Sequence, residues 1–424
     1  MMTVKFHTLG CKLNFSETST IDRNFCDGGF ERATGNNADI HIINTCSVTD
    51  TADKKCRYLI RKISREDNNA IIVVTGCYAQ LKPQEIAEME GVDLVIGNNE
   101  KGNILERVRQ VIEKRGKAAI YTCDTEQLTS FFNAFSSGDR IRTFLKVQDG
   151  CGYRCSYCTI PIARGASRNI SIAELISQAH EVVKAGQKEI VLTGVNIGDF
   201  GRSTGERFVD LVKELDSVNG IERYRISSIE PNLLSQEIIE FTLTSKKFQP
   251  HFHIPLQSGN NKILALMRRR YTSEFFRKKI EDIRAINKDV FIGIDVIVGF
   301  PGESDEDFKV TYNFLKDLAP SYLHIFPYSE RANTDAINFE NKVPQNVKHE
   351  RSTILTQLCK ELYEKYYSSF VNKEAEVLVE GRLKGGKMFG HTNNYLRVEM
   401  PYVAGSINTL VKVKLLPNGE AIAI

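Results

Sequence analysis

Short runs of β-branched and aromatic residues alternate with helical patterns along most of this chain, and such alternation leaves few folds other than parallel sheets covered by helices. The first runs fall at residues 4–9, 40–44, 71–74 and 94–97, with helical patterns at 51–66 and 83–90 among them. They predict a doubly wound α/β domain over residues 1–123. A polar stretch at 124–139, with Ser136, Ser137 and Gly138, reads as a linker. The alternation then restarts in longer units, with strands at 144–148, 189–195, 224–229, 252–257, 291–300 and 322–328 and helices such as 172–185 and 306–318. Units of that number over residues 140–370 fall short of an eight-fold barrel and fit a partial (β/α)6 barrel. After a helix at 356–370 come short strands at 375–380, 387–389, 395–399 and 409–415 with Gly-containing turns. These predict a small antiparallel β-barrel over 371–424, of a kind often used to hold nucleic acid.

The chain has ten cysteines, 42% hydrophobic and 26% charged residues, and a net charge of only +3. The composition is globular, and any contact with RNA must come from local patches. The opening MMTVKFHTLGCKL lacks a signal-peptide core, and no apolar run is long enough to span a membrane. A cytoplasmic location is expected, with no membrane partner, and there spaced cysteines point to metal or catalysis rather than disulfides.

Cys151, Cys155 and Cys158 have C-x3-C-x2-C spacing just after the first strand of the predicted barrel. Three thiolates on one loop can hold three irons of a [4Fe–4S] cube and leave the fourth open. Zinc is the alternative, but it needs a fourth ligand that no nearby His or Cys provides. Cys11, Cys46 and Cys77 each follow a predicted strand immediately, after VKFHTLG, IHIINT and IIVVTG. Strand ends of an open parallel sheet line one edge, so these three can converge on a second cluster. Cys26, Cys56, Cys123 and Cys359 have no such placement and read as structural.

Several motifs join these features: LGCKLN at Cys11, INTCSVT at Cys46, VTGCYAQ at Cys77 and DGCGYRCSYCTIPIARG at 149–165. LTGVNIG at 192–198, HIPLQSGNN at 253–261, IVGFPGE at 297–303 and FPYSER at 326–331 follow. Together they resemble the radical S-adenosylmethionine (SAM) methylthiotransferase family almost end to end, with its auxiliary-cluster domain, radical SAM barrel and C-terminal TRAM domain. GCKLN, the basic segment 54–57 and LTGVNIGDFG are most similar to the branch acting on threonylcarbamoyladenosine at tRNA position 37. The other branches act on isopentenyladenosine in tRNA and on a ribosomal protein. A non-catalytic, zinc-stabilised RNA-binding protein is the reading from outside the family.

The resemblance implies two [4Fe–4S] clusters, two SAM molecules per turnover and an extra sulfur on the auxiliary cluster. One SAM methylates that sulfur, and a second, on the cluster at Cys151, Cys155 and Cys158, yields the radical that activates adenosine C2. It also implies SAM-pocket roles for Tyr157, Thr193, Gly194, Asn196, Gln257 and Asp295, with Ser228 and Glu230 within reach of the same cavity. No catalytic side chain beyond the cluster ligands is expected. Expected partners are the tRNA anticodon stem-loop and a small reducing protein such as flavodoxin or ferredoxin. The sulfur donor is not legible, and a monomer suffices to enclose one site.

For RNA, Lys54, Arg57, Arg61 and Arg65 share one face of a helix, and Arg268, Arg269 and Arg270 mark a second basic patch. In the C-terminal module Arg382, Lys384, Lys387, His391, Tyr395 and Arg397 mix positive charge with an aromatic ring.

Overall fold

The computed structural model describes residues 1–138, 140–383 and 385–424. The first domain is a six-stranded, all-parallel sheet of β1 (Thr3–Thr8), β2 (Glu31–Arg32), β3 (Ile40–Thr45), β4 (Ile71–Gly76), β5 (Val92–Ile96) and β6 (Ala119–Tyr121), in the order β2-β1-β3-β4-β5-β6. Every residue of β3 and β4 is buried, as parallel strands covered on both faces must be. One face packs Ile40, Ile42, Val73 and Leu94 beneath the helices Lys12–Asp27 and Ile104–Glu113. The other packs Ile43, Ile72 and Val74 beneath the helix Asp50–Glu66. The Thr49 side chain caps that last helix by accepting from Ala52 N, and Asp50 and Asp53 lie in its first turn, where the helix dipole favours acids.

The second domain has six parallel strands in two halves. β7 (Arg142–Lys146), β8 (Glu189–Thr193) and β9 (Arg223–Ile226) form one half, and β10 (His251–Gln257), β11 (Phe291–Val298) and β12 (Tyr322–Pro327) the other. Single parallel bridges, Tyr224 to Phe248 and Ser228 to His253, join the halves into a partial barrel. Capping boxes at Ser171/Glu174 and Ser304/Asp307 start two of its outer helices. The segment 124–138 is packed rather than free: Leu128, Ala134 and Ser136 are buried, and Phe135 bridges antiparallel to Leu145.

The helix Gln345–Ser368 begins earlier than its apolar pattern suggests, runs along β12 and delivers Tyr367 into the last domain's core. There β13 (Glu374–Arg382), β14 (Lys387–Thr392), β15 (Arg397–Pro401), β16 (Leu410–Leu415) and β17 (Ala421–Ala423) form an antiparallel sheet ordered β15-β14-β13-β16-β17. A bridge from Glu399 to Glu420 brings its edges together into a nearly closed barrel. This small barrel plugs the end of the large one opposite the active-site rim. Arg225 donates to the carbonyls of Asn393 (2.8 Å) and Thr392 (2.7 Å), and Arg223 to that of His391 (3.1 Å).

Candidate functional site

β1, β3 and β4 are neighbours, so Cys11, Cys46 and Cys77 emerge side by side at one sheet edge. The turns before two of them require glycine. At Gly10 (φ 112°) an added Cβ would lie 2.6 Å from Cys46 Cβ, and at Gly76 (φ 98°) one would lie 2.4 Å from Thr45 O. Burial, and then Cys77, push the Cys46 thiol up to about 12. The second set, Cys151, Cys155 and Cys158, lies on the loop after β7. Burial and the neighbouring Cys155 push Cys158 up to about 12.

All six thiols are free of disulfides. Among the described residues, neither set brings its three sulfurs all within 4.8 Å of one another. A tetrahedral zinc with Zn–S near 2.3 Å would need them about 3.8 Å apart. At least one sulfur–sulfur distance in each set therefore exceeds what a single tetrahedral zinc ion would need.

An arginine meets each set. Arg164 Nε donates to Cys77 Sγ at 3.3 Å, and Arg269 Nη1 donates to Cys155 Sγ at 3.3 Å. Arg164 is at most 1% exposed and anchors a buried ionic network. Its Nη1 donates to Glu17 (3.0 Å) and Asp149 (2.9 Å), and its Nη2 to Asn14 Oδ1 (2.8 Å). Lys101 and Lys146 also reach Glu17, and Lys146 and Arg168 reach Asp149. Burial alone would raise both carboxyls, yet these cations hold Glu17 and Asp149 well below the usual range. Four cations against two carboxylates leave positive charge facing Cys77, which suits an anionic thiolate-ligated group.

The network also ties the two cysteine sets together, since Asp149 stands two residues before Cys151. Thr159, next to Cys158, donates to the carbonyl of Ser47, next to Cys46 (3.4 Å). Arg331 reaches Ser47 and Asp53, both at 2.7 Å. The first domain is therefore docked over the barrel rim with the two cysteine sets across one interface.

Around the second set, Gln148 organises the strand ends: its Oε1 accepts from Val195 N and Asn196 N, and its Nε2 donates to the carbonyls of Asp149 and Gly150. A side chain at Gly194 would press on Gln148. Asn196 Nδ2 lies 3.8 Å from Cys151 Sγ, while Asn196 Oδ1 and Asp199 Oδ2 are buried without partners among the described residues. Such orphaned acceptors beside Cys151 fit a ligand with N–H donors, as the amino group of SAM would be.

The other residues expected at the SAM pocket are spread over the rim. Thr193 is turned back on Val191 O (3.1 Å), and Tyr157 packs edge-on to Phe300. Glu230 is paired with Arg269, Ser228 sits at the seam of the two barrel halves, and Gln257 (φ 68°) ends β10 beyond a bulge. Asp295 is bonded to His253 (2.6 Å), and His253 lies against His324.

Of the expected RNA contacts, the helix face is exposed: Lys54, Arg57, Tyr58, Arg61, Lys62, Arg65 and Glu66 line a groove of about 610 Å³. Arg57 is diverted to Tyr78 (3.0 Å) and Glu85 (3.3 Å), and Lys54 pairs with Asp50 (2.7 Å). Arg268 pairs with Asp335 in a cleft of about 430 Å³ beside Arg154, Cys155 and Cys158. In the last domain Arg382 lies over Tyr402 (3.8 Å), Lys387 pairs with Glu420 (2.9 Å) and Arg397 with Glu399 (3.4 Å). Lys384 lies outside the described residues. Tyr395 does not join an outer surface. In a left-handed turn (φ 65°) it points into the large barrel, tilted against His251 (4.2 Å) and under Arg225 (4.9 Å), with His391 stacked beside it and bonded to Glu380.

Gln148 and Arg164 carry no sequence signal of these roles, and Arg269, expected in a basic patch for RNA, instead meets Cys155 and Glu230. Arg164 lies within the 149–165 motif, but its partners lie far away in sequence.

The fold and site define a radical SAM enzyme. A family model for the radical SAM superfamily matches residues 145–315, and one for uncharacterized protein family UPF0004 matches residues 3–97. A SAM radical methyltransferase, TsrM from Kitasatospora setae, superposes with a TM-score of 0.57 over 77% of this chain and 73% of its own, at 14% identity, a likeness of fold. Threonylcarbamoyladenosine tRNA methylthiotransferase MtaB of Bacillus subtilis (strain 168) is 42% identical over 99% of this chain and 95% of its own length. The protein of that name from Aquifex aeolicus (strain VF5) is 38% identical over 94% and 96%. The chain belongs to the threonylcarbamoyladenosine tRNA methylthiotransferase family. Among the described residues no helix is long and apolar enough to cross a membrane.

Proposed function

We propose that this enzyme converts N6-threonylcarbamoyladenosine at tRNA position 37 to its 2-methylthio derivative. In this reading Cys151, Cys155 and Cys158 hold the cluster that binds SAM, and Cys11, Cys46 and Cys77 hold a second that carries the transferable sulfur. The observation that carries it is the docking of two three-thiol sets across one interface, each with an arginine N–H on one sulfur. When bound, the clusters and SAM supply reductive sulfonium cleavage and the methylthio group.

The protein's own residues position and enclose. Asn196 and Asp199 present unpaired oxygens for the methionine end of SAM. Arg269 orients Cys155 while Glu230 neutralises it. The Arg331–Asp53 and Thr159–Ser47 contacts hold the first domain over the rim, which excludes water from a radical reaction. The cleft at Arg154, Arg268, Cys155 and Cys158 is the approach for a small reducing protein such as flavodoxin or ferredoxin. The direct test is reconstituted enzyme with SAM, reductant and a stem-loop carrying threonylcarbamoyladenosine. Mass spectrometry of the nucleosides should find one methylthio group in place of the C2 hydrogen, and its absence with fully loaded enzyme would reject the reading.

The groove on the helix Asp50–Glu66 is the proposed seat of the anticodon stem. Arg61 and Arg65 are exposed there with no ion pair among the described residues, and Tyr58 is 70% exposed between the cations. Arg61→Glu with Arg65→Glu should weaken stem-loop binding at least tenfold at low salt and flatten the log K against log salt slope by about 1 to 2. Unchanged affinity and slope in an anisotropy titration would move the RNA elsewhere.

A further inference from the structure

The lumen of the large barrel holds a layer of polar side chains from all three domains. Lys12, next to Cys11, reaches into it: it interacts through space with Tyr395, Arg142 and Arg225, and its charge is felt by His251 and His324. The other charges of the layer are matched. Arg142 pairs with Glu380 (3.0 Å), Arg225 with Glu189 (2.9 Å), and Asp295 with His253 (2.6 Å). Lys12 makes no ion pair or side-chain hydrogen bond among the described residues, although it is half-buried. His251 Nδ1, in the same layer, is buried and also without a partner among the described residues. A cation withdrawn from water without a counter-charge is costly, and such a group is kept where an anion comes to meet it.

We propose that Lys12 binds the carboxylate of the substrate's threonylcarbamoyl group and so selects this nucleoside. The inference rests on the function proposed above. N6 and C2 share one edge of adenine, so a base that presents C2 between the cysteine sets directs its N6 substituent towards the residue beside Cys11. The threonine carboxylate at the end of that substituent is the one full negative charge the modified base carries. His253, Asp295 and His324 bring their ligating atoms within 4.8 Å of one another, an arrangement also seen around metal ions. Lys12 acts on His324 as a cation with no ion pair of its own among the described residues, which favours an anion over a divalent metal there.

The test compares two anticodon stem-loops, one with threonylcarbamoyladenosine and one with its carboxylate capped as the methylamide. Both are assayed for binding and for kcat and KM with anaerobically loaded enzyme. Wild type should prefer the carboxylate RNA by about 10- to 100-fold, the worth of one charge-assisted hydrogen bond. Lys12→Met should bring that preference to about one while iron content stays the same, and Lys12→Arg should keep most of it.

If wild type modifies both RNAs equally well, the proposal fails while the methylthiotransferase function stands. If wild type modifies neither, the function itself fails. If Lys12→Met weakens both RNAs equally, or shifts the cluster's EPR signal and iron content, Lys12 serves the neighbouring cluster and the proposal is overturned. The wild-type comparison decides even if the variants fold poorly.

Discussion

Alanine at Cys151, Cys155 and Cys158 together will lower the iron of the reconstituted protein from about eight to about four per chain and reduce methylthiolation to background. The two sets stand on separate sheets, one on the loop after β7 and the other on the ends of β1, β3 and β4. Removing one therefore leaves the other's strands in place. Alanine at Cys11, Cys46 and Cys77 will likewise leave about four irons, but with a different residue of function. The enzyme should still cleave SAM to 5′-deoxyadenosine in the presence of reductant, without transferring a methylthio group. Iron and sulfide analysis with chromatography of the SAM products reads both variants. If wild type holds only about four irons and the first variant loses them all, Cys11, Cys46 and Cys77 carry no cluster and the two-cluster mechanism is wrong.

Arg164→Met is expected to be the most damaging single substitution outside the cysteines. It would remove donors to Cys77, Glu17, Asp149 and Asn14 at once, and every one of those bonds is buried. Losing one member of such a buried network typically costs about 3–5 kcal/mol, because its partners keep their charge without its compensation. The damage should localise to the interface between the first two domains. The denaturation midpoint of the first domain should fall, iron at Cys11, Cys46 and Cys77 should drop, and the cluster at Cys151 should be largely retained. Arg164→Lys should rescue little, since one ammonium cannot span sulfur and two carboxylates in the geometry of a planar guanidinium. A midpoint within about 1 kcal/mol of wild type together with full iron content would show that the remaining cations suffice.

The helix Lys12–Asp27 illustrates where sequence patterns lose their grip. It gives no amphipathic signal because its buried face includes Asn14, Ser16, Glu17, Thr18 and Ser19, of which Asn14 and Glu17 meet Arg164 and Thr18 bonds Asn44. Its start is equally silent, as Cys11 at the N-cap makes no side-chain capping bond. The helix Asp50–Glu66, with its Thr49 cap and first-turn acids, shows the usual signals and was anticipated nearly to its ends. Tyr395 misled for a related reason. An aromatic among basic residues on a small barrel resembles an RNA grip, but docking of that barrel turns the ring into the neighbouring lumen.

What the sequence by itself determined is local and periodic: the alternation that builds two parallel sheets, the short strands of the last domain, and the placement of each cysteine directly after a strand. Strand ends in a parallel sheet share an edge, so position along the chain carries over into position in space. The tertiary structure alone decided which charges meet. Glu17 and Arg164 are 147 residues apart, and Arg225 reaches Thr392 across 167. Lys12, without an ion pair among the described residues, meets Arg142, Arg225 and Tyr395, which come from the other two domains. Pairings of this kind depend on how domains close on one another, and no periodicity of a single segment encodes them.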